Sequence, residues 1–102
     1  YLTRAEANLR GGTSIGDDPL NDVNAVRTRS SATPLAAVTA DDVVLERRLE
    51  LCFEGDDYWT DKRLKLKLGG LAYDDDKAIF PIPLRELQVN ALLKQNKGYR
   101  EK

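Results

Sequence analysis

The chain has no histidine, no methionine and a single cysteine. Without histidine there is no histidine-based nucleophilic triad, no histidine-ligated zinc site and no imidazole to act as general base. The lone Cys52 excludes an intramolecular disulfide. No apolar run approaches the roughly 20 residues of a membrane-crossing helix, and no secretory leader pattern is recognisable. A net charge of −1 argues against a nucleic-acid partner held by phosphate neutralisation. The missing methionine, with a helical pattern already running at Tyr1, predicts a piece of a longer protein. A signal, a lipid anchor and most of the functional surface would then lie outside these residues.

The 102 residues suffice for one small domain, and 32% charged with 41% hydrophobic residues is ordinary for a globular protein. Tyr1 to Arg10 reads as a helix with Tyr1, Leu2, Ala5 and Leu9 on one face and Glu6 at its edge, stopped by Gly11-Gly12-Thr13-Ser14. Asp18-Pro19 opens a second, with Leu20, Val23 and Val26 as its inward stripe. Thr39 opens a third, and Asp42 three residues on predicts a capping box. Asp56 and Asp57 suit the start of a fourth, carrying Tyr58 and Trp59 and running to about Leu66. Ile79 to Pro83 must be extended, because each proline disfavours the helical region for the residue before it. Pro83 then starts a short helix to about Val89. Asn90 to Lys102 reads as a surface tail anchored by Leu92, Leu93 and Tyr99.

The third helix carries the most pointed local signal. Read as helical to Gly55, it gathers Val44, Leu45, Leu49, Leu51, Cys52 and Phe53 on one broad arc, with Glu46, Arg47, Glu50 and Glu54 opposite. Arg48 projects from the middle of the apolar arc, and Arg27 falls on the apolar side of the second helix. A guanidinium keeps its proton, so a buried one needs a carboxylate. The expectation is that Arg27 and Arg48 are buried structural ion pairs, with Glu6, Asp22 or Glu50 as partners. Cys52 on this arc reads as a small buried hydrophobe.

The order of these motifs resembles the C-terminal part of the SusD/RagB family of outer-membrane glycan-binding lipoproteins. The matching pieces begin with Tyr1-Leu2-x-x-Ala5-Glu6-Ala7 and Leu20-x-Asp22-Val23-Asn24-x-Val26-Arg27-x-Arg29. Glu46-Arg47-Arg48-x-Glu50-Leu51-x-Phe53-Glu54-Gly55, Tyr58-Trp59 and Arg63 follow, then Phe80-Pro81-Ile82-Pro83, Glu86, Asn90 and Leu93-Lys94-Gln95-Asn96-x-Gly98-Tyr99. The family's usual aspartate at Thr60 and its frequent prolines at Ala91 and Lys97 are absent.

The resemblance implies an all-α fold of tetratricopeptide-like helix pairs with an extended proline-rich segment and a C-terminal tail. Residues 1–102 would be the C-terminal segment of a SusD/RagB-like domain. Within it, 1–29 is a helix pair, 39–68 the arginine-rich and aromatic helices, and 79–102 the Phe80-Pro81-Ile82-Pro83 brace, short helix and tail. It also implies an outward-facing lipoprotein of the outer membrane that binds an oligosaccharide, or in some members a peptide. Its partner would be a SusC-like TonB-dependent transporter, with the membrane touched only through an N-terminal lipid outside this segment. Catalysis, a cofactor and a metal are not implied. An alternative is a tetratricopeptide-type peptide-binding adaptor.

Tyr58 and Trp59 are the candidate ligand-binding residues, since aromatic faces suit the C–H side of a pyranose; core packing is the stronger expectation for them. Phe80 and Ile82 project the same way from an extended chain and are expected to bury against the helices. Asp74-Asp75-Asp76 lacks the alternating spacing and glycine of a calcium loop and reads as a solvated turn. Glu46 and Glu50 lie on the polar arc, which makes a glycosidase pair improbable.

Overall fold

The structure, a computed structural model, describes residues 1–100. These form five α-helices and one short 3-10 turn: α1 (Leu2–Gly11), α2 (Pro19–Arg29), α3 (Ala40–Glu50), α4 (Asp56–Leu64), the turn Asp76–Ala78, and α5 (Leu84–Val89). Among the described residues the only β pairing is an isolated bridge between Leu68 and Leu71, so the all-α expectation holds. The chain divides into two compact units, Tyr1–Asp57 and Tyr58–Lys102.

The first unit is organised around α1, which packs against both α2 and α3. Its core is Leu2 and Ala5 from α1, Val23 from α2 and Val43 from α3. Leu9, Val26, Leu35 and Val38 close the edges. Helix boundaries follow the local chemistry. Gly12 ends α1 at φ 63 while its N–H donates to Asn8 O. The Asp18 carboxylate accepts from Leu20 N, with Pro19 at the first helical position. Thr39 and Asp42 form the reciprocal capping box.

Three expectations for α3 are corrected. The helix stops at Glu50, and Leu51 to Gly55 is a turn. Phe53 (φ 67) and Gly55 (φ 78) both sit in the left-handed region, which a right-handed helix cannot continue through. The buried face is also different: Val43, Val44 and Glu46 are buried, while Leu45, Leu49 (65% exposed), Cys52 and Phe53 are exposed. Arg48 on that arc is therefore exposed as well. Val43, Glu46, Arg47 and Glu50 share the inward face at helical spacing. Each of its three charged members finds an opposite charge on α2 or at the start of α4. Ion pairs, together with the buried Val43 and Val44, set the orientation of this helix.

In the second unit α4 ends where Lys65 turns left-handed (φ 58) and Leu66 N donates back to Asp61 O. Gly69-Gly70 then makes the tight turn that lets Leu68 and Leu71 exchange both backbone hydrogen bonds, at 3.0 and 3.1 Å. Ala78 and Leu87 are the buried apolar residues here. The tail is held differently from the expectation. Leu92 is 90% exposed and Leu93 is also exposed. The side-chain amide of Gln95 pairs with both backbone groups of Ile82, Asn96 Nδ2 donates to Phe80 O, and Tyr99 donates to Lys77 O. Residues 79–83 are extended and offer unpaired backbone groups, so amides capture them better than leucines can.

Candidate functional site

The charged candidates all lie in ion pairs of the first unit. Asp22, fully buried, receives a forked pair from Arg4: Nε to Oδ2 at 2.8 Å and Nη2 to Oδ1 at 2.5 Å. This hydrogen bonding raises the Arg4 pKa above its ordinary value. Glu6 accepts from Arg10 one turn along α1 at 2.8 Å. Arg27, with only 19% of its side chain exposed, pairs with Glu46 and donates from Nε to Thr33 O. Glu50 pairs with Arg29. Arg48 pairs with Asp57 at 2.6 Å on the surface, which corrects its expected burial.

The buried role expected of Arg48 belongs to its neighbour. Arg47 Nε and Nη2 each donate to one oxygen of Asp56, and Nη1 donates to Thr3 on α1. The hydrogen bond to Asp56 raises the Arg47 pKa above its ordinary value. The sequence carried a signal for this: an arginine doublet at 47–48 and an aspartate doublet at 56–57, separated by a glycine turn. The cations end α3 and the anions begin α4, so each doublet also complements its helix dipole.

A cleft of about 490 Å³ opens in the first unit, bounded by Leu2 and Thr3 of α1, Val26 and Arg29 of α2, and Arg47 and Glu50 of α3. Its charges already have partners: Arg29 pairs with Glu50 across the cleft, and Arg47 pairs with Asp56 outside it.

The aromatic candidates lie in the second unit, and their placement corrects the expectation of core packing. Helix α4 buries Thr60 and Asp61, which turns Trp59 outward (65% exposed). Phe80, expected to be buried, is 72% exposed, whereas Ile82 beside it is half-buried. Tyr58 is half-buried and its hydroxyl donates to Ala78 O. Its ring meets Trp59 edge-on (4.8 Å between centroids, 86°) and Phe80 at a tilt (5.5 Å, 33°). The result is two exposed rings leaning on a third that is pinned. Phe80 was not among the sequence-derived ligand candidates; the extended backbone forced by Pro81 was the available signal. In the acidic run, Asp75 caps the 3-10 turn through Lys77 N, and Asp76 pairs with Lys97 at 3.2 Å.

Comparison with known proteins adds the following. The SusD family matches residues 1–76. No curated protein matches. A solved structure, surface glycan-binding protein A from Bacteroides uniformis, is similar at 32% identity and a TM-score of 0.68, over 93% of this chain and 25% of that one. The chain thus spans about a quarter of the length of that solved protein. The match over residues 1–76, together with the shared helical path, places the chain in one family: it belongs to the SusD family.

Proposed function

We propose that this chain is the C-terminal helical segment of a protein that binds oligosaccharides at the outer face of the outer membrane. That protein passes them to a SusC-like TonB-dependent transporter. The observation that supports this reading is the likeness, over 93% of the chain, to a protein described as a surface glycan-binding protein. The mechanism is binding and hand-over, with no bond made or broken. In the first unit the arginines and carboxylates are engaged with one another, which suits a framework that presents a binding surface. Among the described residues no helix is long and apolar enough to cross a membrane.

Affinity electrophoresis of the complete protein through gels containing soluble polysaccharides tests the binding step. Retardation in at least one gel, without release of reducing sugar, is the expected result. Co-purification with a TonB-dependent barrel from outer membranes tests the hand-over. A protein that migrates freely in every gel, or that shortens the polysaccharide, refutes the reading.

A further inference from the structure

We propose that Leu45 and Leu49 of α3, continued by Cys52 and Phe53 of the turn that follows, form a surface on which an apolar helix face of the same polypeptide docks, supplied by the residues that precede Tyr1 in the complete protein. The inference rests on the reading of this chain as the C-terminal segment of a longer binding protein, and it says where that segment joins the rest. Leu45 and Leu49 lie one helical turn apart, on the side of α3 away from Val43, Glu46 and Glu50. Both leucines and Phe53 are more than half exposed, and Cys52 is exposed as well.

The chemistry of this face is that of an interior. Leucine, phenylalanine and unpaired cysteine are among the residues most often buried. Interfaces that stay closed resemble a core cut in half, whereas transient ones are more polar. Phe53 adds an energetic argument. Its backbone is left-handed at φ 67, which costs any residue with a Cβ and which glycine adopts freely. A fully exposed phenylalanine recovers nothing for that strain, and one packed under a second helix does. Arg48, between the two leucines in sequence, is already paired with Asp57, so a partner meets no lone charge at the rim. Length points to the occupant. The solved glycan-binding protein follows this chain over 93% of the chain, yet the match takes up only 25% of that protein. Most of such a polypeptide lies outside the matched part and is covalently at hand.

The test uses the complete protein. Phe53→p-benzoylphenylalanine places a photoreactive ring on the face with little change of shape. After irradiation, peptide mass mapping is expected to find the adduct on a peptide from before Tyr1. An adduct on a second copy, on residues 58–100 or on a co-purifying protein overturns the inference, and so does the absence of any adduct. Cys52, read on its own peptide, is expected to react with N-ethylmaleimide about tenfold or more slowly in the native protein than in urea, because reaction then waits for local opening. Equal rates overturn the inference. Leu49→Ala separates the two cases by sign. At an open helix position alanine is neutral or slightly favourable, whereas under a docked helix it leaves a void. A lowered urea midpoint is expected, and an unchanged or raised one overturns the inference. Each of these failures leaves the glycan-binding reading standing, since retardation in polysaccharide gels tests that reading by itself.

Discussion

Arg47 and Asp56 meet in a two-pronged ion pair, with Nε–Oδ2 and Nη2–Oδ1 both at 2.6 Å. The bond joins the last turn of α3 to the first residue of α4 across the turn at Leu51 to Gly55. Arg47 also touches α1 through Thr3, so one guanidinium ties three segments. The parallel pair one residue later, Arg48 with Asp57, has the same spacing but lies in solvent. The two adjacent arginines are thus a natural comparison of a half-buried pair with an exposed one.

Arg47→Ala should destabilise the protein by about 2–3 kcal/mol, somewhat below the about 3–5 kcal/mol lost when a fully buried pair is broken, because about a fifth of each side chain still meets water. Arg48→Ala should cost about 0–1 kcal/mol, as exposed pairs do. Urea unfolding of the two variants decides the matter. Equal losses, or a larger loss at Arg48, would restore the buried arginine to the position that hydrophobic periodicity suggested.

The Arg4–Asp22 pair makes a different prediction, since its acid is wholly buried and its base is partly exposed. Removing the guanidinium strands a fully buried carboxylate, whereas replacing both partners with apolar side chains removes the need for either. Arg4→Met should therefore lower the urea midpoint clearly, and Arg4→Met with Asp22→Leu should recover at least half of the loss. A double variant no better than the single one would show that Asp22 is satisfied without Arg4.

The helices, their caps and the extended proline segment were legible because they depend on local chemistry: Asp18-Pro19, the Thr39/Asp42 box, and the two prolines at 81 and 83. The orientation of α3 was not. Leu45, Leu49 and Phe53 form a good helical stripe, but helical periodicity identifies a stripe without saying what faces it. The partners that settled the matter, Arg27, Arg29 and Asp56, come from elsewhere in the chain. The same holds for the aromatic cluster. Tyr58 and Trp59 were visible as neighbours in sequence, yet the contact of Tyr58 with Phe80 depends on the turns at Lys65 and Gly69 bringing residue 80 back. Of the expected tail anchors Tyr99 holds, while Gln95 and Asn96 take the place of Leu92 and Leu93, because extended backbone without a partner favours amides.

Asn8 holds the connection between α1 and α2 from a buried position. Its amide donates to Ile15 O and Asp17 O, and its carbonyl accepts from the Thr13 hydroxyl and Ile15 N. Asn8→Ala leaves these groups without their partner, and a loss of about 1–3 kcal/mol is expected. Asn8→Asp at neutral pH should be at least as damaging, because an oxygen then faces two carbonyls. Acidification should recover part of the Asp variant's stability by supplying a donor. Hydrogen exchange at the Ile15 amide should quicken in the alanine variant; unchanged exchange there would mean the loop is ordered by other contacts.

Acid sensitivity at the start of α3 follows from Asp42. The Thr39 hydroxyl, and then the Thr39 backbone N–H, donate to its carboxylate at 2.6 and 2.8 Å and hold its pKa below the ordinary 3.8. A carboxylate whose folded pKa is depressed stabilises the fold fully above its unfolded pKa, and that contribution disappears as pH falls through the lower, folded value. The capping box should therefore be intact at pH 5 and fail only below pH 3.8. Thr39→Val removes the hydroxyl bond and keeps the backbone one, so the Asp42 pKa should rise part of the way back toward 3.8. Asp17, depressed by Asn21 and the Asp18 backbone, should not move and serves as the internal control. Carboxyl-carbon NMR titration of the two residues reads both. A wild-type Asp42 that titrates at 3.8 or above, or an Asp17 that shifts along with it, would mean that the box is not what sets these values.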